Sequence, residues 1–353
     1  MATQPVSFDI TPEQEASKLQ FLRRQFFRTP PRVTDVDLDG KTAIVTGANG
    51  GIGLECCRQL LELGISNLIL AVRDETKGEV ACKALSAAKR SQNIQVWKLD
   101  YSSYDSITAF AKRAEELPRL DIVILNAGVI RGFFSANPET GHEDDLQTNY
   151  LSTFLLTILL LRITRKNGQK ETKGPSTAAT QASNLNRIVL VSSDTPGWAQ
   201  FPEKDQNPLL PSFDDKNAKY HAIERYATTK LLGQLFLTEL AKRVSPATAG
   251  TIVNCANPGL CHGSAIAREL GRPSSVFMRL VGRPAAVGAR SIVHAATKEG
   301  ERSHGQLVED CQLRPMAPFV YSKEAVVVTG RLWEETMKEL SFAEVKEIIE
   351  TLS

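Results

Sequence analysis

The sequence predicts an α/β fold, a single doubly wound domain whose mostly or fully parallel seven-stranded sheet is flanked by helices. Short β-branched runs alternate with longer helical stretches between residues 42 and 311. Most of these runs are apolar throughout, as in parallel strands covered on both faces. Repeated β-α-β units imply right-handed crossovers, which place helices on both sides of one sheet.

Seven apolar runs supply the predicted strands, and helical stretches such as ECCRQLLELG separate them. The runs are TAIVTG (42–47), NLILAVR (67–73), NIQVWKLD (93–100), LDIVILNAG (120–128), NRIVLVSS (186–193), GTIVNCANPG (250–259) and GQLVEDC (305–311). Ligands of such sheets bind beyond the carboxyl ends of the strands. The turns TGANGG, LNAG, VSSDTPG and ANPGL follow strands, so this edge is the predicted functional face.

An N-terminal extension, residues 1–38, precedes the predicted catalytic domain at 39–353. Residues 12–28 are predicted to form a helix that the Pro30-Pro31 pair ends. We expect this helix to dock on the domain rather than to anchor at a membrane surface, because Glu13 and Glu15 dilute its basic face. Its expected apolar surface consists of Leu19, Phe21, Leu22, Phe26 and Phe27.

Three further segments are predicted to be loops. Residues 166–184 contain no Val, Ile, Leu or aromatic residue, which is typical of a flexible surface insertion. Residues 194–222 and 260–283 are expected to shape a substrate pocket. The first of these loops is interrupted by prolines and contains the aromatic residues Trp198, Phe201 and Phe213, which are enough to cover another part of the molecule.

Composition argues against several classes of protein. The 353 residues are 42% hydrophobic and 23% charged, and the net charge of +2 favours neither nucleic acid nor an anionic membrane as a partner. Six cysteines and five histidines show no metal-ligand spacing, so no metal site is predicted. The N-terminus lacks an apolar signal region, and the run at 151–161 is too short to span a bilayer. We expect a reduced, cytoplasmic protein without an integral membrane span.

The stretch TGANGGIG (46–53) predicts a dinucleotide site of the Rossmann type. It follows the first strand and opens the first helix, as such a site requires. Gly47 permits a sharp turn, and Gly51 and Gly53 permit close approach of backbone, phosphate and helix. The helix N-terminus offers free N–H groups to a pyrophosphate. Asn49 and Ile52 belong to the same predicted contact set.

The end of the second strand predicts which dinucleotide is bound. An acidic residue about 20 positions beyond the glycines would hydrogen-bond the ribose 2′-hydroxyl of NAD. Arg73 stands 20 residues after Gly53, and a guanidinium suits a 2′-phosphate. NADP(H) is therefore the predicted cofactor. Asp74 follows directly, and it can be a ribose ligand or the N-cap of the next helix.

The motifs together, in this order, resemble the short-chain dehydrogenase/reductase family over about residues 39 to 340. They are TGANGGIG, Asp100 after the third strand, LNAG (125–128), Asn149 in QTNYL, Ser193 in VLVSS, YATTK (226–230) and ANPGL (256–260). The resemblance implies that Tyr226 is the acid/base, that Lys230 holds the nicotinamide ribose and lowers the tyrosine pKa, and that Ser193 hydrogen-bonds the substrate oxygen. It implies a water-anchoring role for Asn149. The implied cofactor contacts also include Asp100, Tyr101, Asn126, Ala127, Gly128, Pro258, Gly259 and Leu260.

The chemistry of hydride transfer explains these residue types. A free tyrosine titrates near ~10, so a neighbouring ammonium favours the phenolate and moves the pKa toward the working range. In reduction the neutral phenol gives its proton to the developing alkoxide. A serine hydroxyl aimed at the same oxygen adds a second donor. Spacing alone shows only that Tyr226 and Lys230 can meet on one helix face.

Two departures from the family pattern bear on the substrate. Ser193 and Tyr226 are 33 residues apart, a long separation that looks most like the retinol-dehydrogenase-like branch. Many relatives place a threonine shortly after the Pro-Gly pair, where this chain has Cys261, His262 and Ser264. Which of these contacts the cofactor amide stays open. A nucleophilic role for the Cys261-His262 pair is disfavoured because no third group orients them.

The predicted function is that of an NADP(H)-dependent dehydrogenase or reductase acting on a bulky, largely apolar carbonyl or alcohol. The layout also resembles fungal members that tailor secondary metabolites. A cofactor-binding regulator or scaffold without turnover is the alternative from another class, and an isomerase or cyclase on the same fold is a third.

The resemblance allows a homodimer through the helices of Asn149 and Tyr226, whose other faces carry Leu151, Phe154, Leu155, Leu231 and Leu235. A covering N-terminal helix would instead allow a monomer.

Overall fold

A computed structural model describes residues 7–86, 92–171, 185–263, 276 and 278–353. Its centre is an eight-stranded sheet in the order β10-β9-β6-β5-β4-β1-β2-β3. The strands are β1 (Thr42–Thr46), β2 (Asn67–Val72), β3 (Asn93–Lys98), β4 (Ile122–Leu125), β5 (Asn186–Val191), β6 (Thr251–Asn257), β9 (Leu307–Glu309) and β10 (Gln312–Arg314). A separate two-stranded ladder pairs β7 (Cys261–His262) with β8 (Arg283–Pro284).

The seven predicted strands are all present and parallel, and the fold class is confirmed. The eighth strand, β10, was not predicted, and it runs antiparallel to β9. The chain reverses between them at Asp310 and Cys311, which have φ of 47° and 62°. Two successive positive φ values make a tight hairpin turn, but Asp-Cys lacks the Asn-Gly or Asp-Gly signature that marks this turn in a sequence.

Helices cover both faces of the sheet. They are α1 (Pro12–Glu15), α2 (Lys18–Phe27), α3 (Gly51–Glu62), α4 (Glu75–Ser86), α5 (Tyr104–Ala114), α6 (Asp144–Leu146), α7 (Ser152–Glu171), α8 (Ala222–Arg243), α9 (Pro246–Ala249), α10 (Ala285–Thr297), α11 (Lys323–Glu339) and α12 (Val345–Leu352). One apolar core joins α5, α7, α8, α11 and α12 to the sheet, and a second joins α3, α4 and α10 to its other face. The three layers bury the parallel strands other than β3, as their continuous apolar runs predict, whereas β3 at the sheet edge is only partly buried.

The stretch Asp144–Arg165, which includes α6 and much of α7, is long and apolar enough to cross a membrane, but most of it is buried inside the domain. It contains the apolar run at 151–161. Among the described residues it alone meets that length and composition. Residues 166–171 extend α7, whereas the rest of the predicted flexible insertion, 172–184, lies outside the described residues.

The faces expected to form a dimer interface are occupied within the chain. Leu151, Phe154, Leu155, Leu231 and Leu235 are all fully or almost fully buried in one core. Trp333 of α11 stacks on Phe236 of α8, with ring centroids 4.7 Å apart. The C-terminal helices therefore cover these faces, and the named residues offer no surface to a second copy.

The N-terminal helix differs from its prediction in two ways. It is divided at Ala16 and Ser17, because Ser17 caps a new helix by accepting a hydrogen bond from the backbone of Gln20. It also docks through its polar side. Arg24 and Gln25 are buried. The predicted apolar surface is largely solvent-exposed at Leu19, Leu22, Phe26 and Phe27, and only Phe21 is half-buried.

Candidate active site

A cleft of about 1870 Å³ lies at the carboxyl edge of the sheet. The turns after β1, β2, β3, β4, β5 and β6 line it, as predicted from the strand ends. Two further walls come from outside the strand ends. Lys18, Phe21 and Leu22 of α2 form one, and Met278 and Arg279 belong to the other.

The glycine turn brings the backbone of β1 against the start of α3. Gly47 has φ of +65°, a left-handed conformation that favours glycine. A Cβ on Gly53 would lie 2.6 Å from the Gly47 carbonyl oxygen and from Asn126 Nδ2. No side chain caps α3, so its first N–H groups stay available to an anion. Gly51, Asn49 and Ile52 also line the cleft.

Asn126 supports this turn from the neighbouring strand end. Its Nδ2 donates to the Thr46 carbonyl oxygen at 3.0 Å. The Ala127 N–H donates to Thr46 Oγ1 at 2.9 Å, and the buried Tyr101 hydroxyl donates to the same oxygen at 3.3 Å. The predicted residues Asn126, Ala127 and Tyr101 therefore line the cleft and also hold the end of β1 in place.

The end of β2 presents a cation to the cleft. Arg73 is exposed there, and within the described residues no side chain pairs with its guanidinium. Asp74 Oδ1 accepts from the Lys77 N–H at 3.1 Å, and Lys77 Nζ lies 2.9 Å from Asp74 Oδ2. These contacts with Lys77 lower the pKa of the Asp74 carboxyl. Of the two predicted roles for Asp74, the structure shows the N-cap of α4.

Asp100 lies at the rim of the cleft beyond β3. Its Oδ1 accepts from the Ser102 N–H at 3.0 Å and from the Ser102 hydroxyl at 2.7 Å. The carboxylate therefore holds the start of the loop that precedes α5.

Asn149 lies in a π-helical turn, Gln147–Leu151, between α6 and α7. Its Oδ1 accepts from the Val129 N–H at 2.8 Å, and its Nδ2 donates to the Val129 carbonyl oxygen at 2.9 Å and to Thr229 Oγ1 at 3.2 Å. A Cβ on Gly128 would lie 3.1 Å from Asn149 Oδ1 and 3.6 Å from Lys230 Nζ. Asn149 thus joins the chain after β4 to the helix that holds Lys230.

Tyr226 and Lys230 share one face of α8 and both line the cleft. Lys230 Nζ lies 5.8 Å from the Tyr226 ring centroid and donates to the Val191 carbonyl oxygen at 2.8 Å. Burial lowers the pKa of Lys230 to about 8. Burial raises the pKa of Tyr226, and the Ser193 hydroxyl opposes that rise. The expected lowering by Lys230 does not appear, because burial is the largest influence on the pKa of Tyr226.

Two adjacent serines end β5, and their partners differ. Ser192 is buried, and its Oγ accepts from Gln234 Nε2 at 3.4 Å. Ser193 Oγ accepts from the Thr195 N–H at 3.2 Å and contacts the Thr195 hydroxyl at 3.1 Å. The Ser193 hydroxyl also interacts with Tyr226. These contacts favour Ser193 as the serine beside the tyrosine.

The turn after β6 closes the cleft on its far side. Gly259 has φ of +71°, and its N–H donates to Asn257 Oδ1 at 2.9 Å. Pro258, Gly259 and Leu260 line the cleft. Burial raises the pKa of Cys261 to about 12, and its Sγ donates to the Pro258 carbonyl oxygen, so the thiol is a packing group. His262 faces the cleft, and Ser264 lies outside the described residues.

The aromatic residues of the loop at 194–222 divide between core and cleft. Trp198 lines the cleft, whereas Phe201 and Phe213 are buried in the core beside α11 and α8. Of these three aromatic residues, Trp198 can therefore face a ligand, and Phe201 and Phe213 cover the core. The Trp198 ring meets Phe21 of α2 edge to face, with centroids 5.2 Å apart.

Sequence reasoning missed three polar residues around the cleft. Arg24 and Gln25 of α2 contact the loops after β5 and β6. Asp145 accepts from the Arg131 N–H at 3.2 Å and from the Tyr220 hydroxyl at 3.0 Å. Burial, with Glu143 nearby, raises the pKa of Asp145 to about 7. Their partners lie far away in the chain or carry no motif, so no local pattern signals them.

Metal chemistry has no ligand set in the parts of the chain that the structure describes. No three His, Cys, Asp or Glu side chains gather there as ligands. All six cysteines are free.

The sequence model of the short chain dehydrogenase family matches residues 41–170. The short-chain dehydrogenase fogG of Aspergillus ruber is 48% identical over 361 residues, which cover 99% of each chain. The short chain dehydrogenase/reductase mfmJ of Annulohypoxylon moriforme is 41% identical and covers 94% of each chain. A solved short chain dehydrogenase from Shigella flexneri, 21% identical, covers 82% of this chain and 99% of its own, with a TM-score of 0.57.

Proposed function

Since the chain belongs to the short-chain dehydrogenase/reductase family of oxidoreductases, which use nicotinamide cofactors, we propose that it is an NADP(H)-dependent enzyme. Its proposed substrate is a bulky, largely apolar ketone or aldehyde, or the corresponding alcohol. One observation carries the proposal. Ser193, Tyr226 and Lys230 meet in the cleft that also contains the glycine turn.

The first part of the cleft fits a dinucleotide. The uncapped start of α3 offers N–H groups to a pyrophosphate, and Gly53 lets this helix start pack closely against Gly47 and Asn126. Arg73 has no described side-chain partner, whereas the Asp74 carboxylate is engaged with Lys77. This arrangement supports a 2′-phosphate rather than a 2′-hydroxyl as the ligand of Arg73. When bound, the nicotinamide supplies the hydride.

The proton-transfer step belongs to the chain's own side chains. Tyr226 gives its phenolic proton to the carbonyl oxygen of the substrate, and Ser193 donates a hydrogen bond to the same oxygen. Burial raises the pKa of Tyr226, so the phenol carries its proton before the reaction. Lys230, one helical turn away, stabilises the phenolate that remains. Asn149 positions the segment 128–129 beside Lys230, and we propose that it anchors a proton-relaying water there.

The walls beyond these residues support an apolar substrate. Phe21, Leu22, Trp198, Ile223 and Met278 line this part of the cleft. The total volume of about 1870 Å³ exceeds the roughly 300–1,000 Å³ of a single small-ligand pocket, which suits a dinucleotide together with a sizeable substrate. Similarity to the fungal dehydrogenases over nearly the whole chain supports a tailoring step in secondary metabolism. The free cysteines support a cytoplasmic location.

Replacement of Tyr226 by phenylalanine tests this proposal. We expect carbonyl-dependent NADPH oxidation to fall by about 10³-fold or more, because the proton donor is removed while the ring remains. NADPH binding, followed by nicotinamide fluorescence, should stay within about threefold of the wild-type value. A panel of ketones and aldehydes provides the substrates. Unchanged turnover in the variant would show that Tyr226 is not the acid.

A binding-only regulator is the competing function, and the same measurements address it. Such a protein would bind NADPH but would oxidise none with any carbonyl in the panel. The proton-transfer residues Ser193, Tyr226 and Lys230 serve no purpose in a protein that only binds, so their joint presence favours the enzyme.

A further inference from the structure

The buried side of the N-terminal helix α2 connects two loops of the cleft. Arg24 is only 5% exposed although it carries a charge. Its guanidinium contacts Glu15, Asp194 and Glu309, three carboxyl groups from three separate parts of the chain. A charge buried this deeply requires such partners, because its solvation is otherwise lost. The contacts therefore fix α2 to the sheet edge at one defined place.

The first connection runs to the loop that contains Ser193. Arg24 Nη2 lies 2.5 Å from Asp194 Oδ1, and Asp194 is the residue directly after Ser193. The Trp198 Nε1–H donates to the Ala16 carbonyl oxygen at 2.7 Å. Between these two points, a Cβ on Gly197 would lie 2.9 Å from Ala16 Cβ. The N-terminal segment thus holds both ends of the stretch 194–198.

The second connection runs to the turn at Pro258-Gly259. Arg24 Nη2 lies 3.1 Å from Glu309 Oε1, which accepts from Asn257 Nδ2 at 2.5 Å. Asn257 in turn accepts from the Gly259 N–H. The neighbouring Gln25 Nε2 donates to the carbonyl oxygens of Leu260 at 2.8 Å and of Val281 at 3.0 Å. One turn of α2 therefore contacts the turn after β6 directly and through Glu309.

The charges of this cluster balance only with Arg24 present. Arg314 lies 3.9 Å from Glu15 Oε2, whereas the neighbouring Arg283 is paired with Asp310 at 2.7 Å. Burial raises the pKa of Glu309, which favours its neutral form. Two cations then face the two carboxylates Glu15 and Asp194. Without Arg24, the Asp194 carboxylate would stay buried without its cation or would turn toward the cleft, and either result moves Ser193.

We propose that Arg24 is a positioning residue of the reaction, which sets the Ser193 hydroxyl against the Pro258-Gly259 turn across the cleft. This inference rests on the proposed oxidoreductase function. Residues 12–27 then support the active site and are not merely an appendage to it. Arg24 does not line the cleft, and it acts through Asp194 on Ser193, which both line it.

A double-mutant cycle separates positioning from simple support of the fold. The variants are Arg24→Met, Ser193→Ala and their combination, with Arg23→Met, an exposed arginine on the same helix, as matched control. The measurements are kcat and KM for the carbonyl, the NADPH dissociation constant and the thermal midpoint. They are made at enzyme concentrations that still reveal slow turnover.

We expect Arg24→Met to lower kcat by about 10- to 100-fold while NADPH affinity changes by less than about threefold, since a misplaced donor costs rate more than cofactor binding. With alanine at position 193, the same replacement should lower kcat by less than about threefold, because the group it positions is already gone. Arg23→Met should match the wild type. If Arg24→Met lowers kcat by the same factor with serine and with alanine at position 193, the positioning role is overturned.

A second variant keeps the inference testable if Arg24→Met does not fold. Asp194→Asn keeps the shape of the side chain and leaves Arg24 with Glu15, and it should lower kcat by about tenfold, again with little effect when Ser193 is alanine. Unchanged kcat in Asp194→Asn would overturn the inference. A wild-type protein without carbonyl turnover would contradict the proposed function and this inference with it. If the wild type turns over carbonyls but the cycle is additive, the positioning role of Arg24 is contradicted and the proposed function is not.

Discussion

The two halves of the cleft are built by different means. In the cofactor half, between β1 and α4, backbone atoms and glycines close in sequence form the site, and side chains such as Asn126 support them. In the substrate half, side chains join segments far apart in the chain. Arg24 and Asp194 are 170 residues apart, and Gln25 and Leu260 are 235 apart.

This difference has consequences for tolerance and for specificity. Where the backbone of the glycine turn packs closely, as at Gly53, a single added carbon displaces it. A site held by side chains can be altered one contact at a time, because each aromatic pair in its wall contributes a modest share of the energy. The comparison therefore predicts that small substitutions in the cofactor half cause large losses of cofactor affinity. Substitutions in the substrate half should change the kinetic constants by smaller steps.

Gly53→Ala should give the largest effect. The added Cβ would lie 2.6 Å from the Gly47 carbonyl oxygen, and a backbone atom cannot move aside without shifting the turn. We expect NADPH affinity to fall by about 100-fold or more and stability by about 1–3 kcal/mol. Fluorescence titration and thermal unfolding measure these losses. Gly330→Ala, at an exposed helical glycine with no atom within 4 Å, is the control and should stabilise slightly. Equal behaviour of the two variants would contradict a close-packed turn.

Arg73→Ala should give the next largest effect, confined to one cofactor. Loss of a charge-assisted contact to the 2′-phosphate should weaken NADPH binding by about 10- to 30-fold, or about 1.4–2 kcal/mol, and leave NADH binding nearly unchanged. Titration with both cofactors measures the ratio. Lys77→Ala is the comparison, since that ammonium is already paired with Asp74. Equal losses for NADPH and NADH would show that Arg73 does not read the 2′-phosphate.

The sequence was informative where the site is made of backbone. The glycine spacing, the apolar strands and the order of Asn149, Ser193, Tyr226 and Lys230 depend on local structure, which short motifs encode. All seven predicted strands are present, and the predicted site residues line the cleft or support it. Only β10 was missed in the sheet, because two positive φ values outside glycine leave no signature.

The sequence was least informative where distant side chains meet. The pattern of α2 predicted an apolar docking face, yet Arg24 and Gln25 are buried and Phe27 is 85% exposed. The partners Asp194 and Glu309 determine this orientation, and no sequence pattern near α2 indicates them. The same applies to Phe201 and Phe213, which pack against the C-terminal helices instead of a ligand.

Phe21→Ala tests the graded behaviour of the substrate half. Loss of the edge-to-face pair with Trp198 should remove about 0.5–1.5 kcal/mol of interaction energy. We therefore expect KM for an apolar carbonyl to rise by about 3- to 10-fold, with kcat and NADPH affinity nearly unchanged. Steady-state kinetics measure the effects on kcat and on KM separately. Phe27→Ala, on the same helix but exposed, is the control. A fall in kcat with constant KM would place Phe21 in support of catalysis instead of substrate binding.

The last expected effect concerns stability alone and is a pH dependence in the substrate half. His142 Nδ1 lies 2.8 Å from Asp214 Oδ2, in the loop at 194–222, and its Nε2 lies 3.1 Å from Glu339 Oε1 of α11. Burial opposes the charged ring, but the hydrogen bonds to the two carboxylates outweigh it and raise the pKa of His142 to about 9. The folded protein therefore holds this proton more tightly than the unfolded chain does.

Because the folded pKa is raised, the stabilisation is complete below the unfolded value near ~6.5 and is lost as pH rises through about 9. His142→Gln should therefore cost on the order of 1–2 kcal/mol at pH 6, after allowance for solvent screening, and much less at pH 10. Chemical unfolding at several pH values measures the difference. His221→Gln, at an exposed histidine without an ion pair in the described part of the chain, should show no such trend. A constant difference between wild type and His142→Gln across this range would mean that the loop is held by packing of Phe201 and Phe213 and not by the charged imidazole.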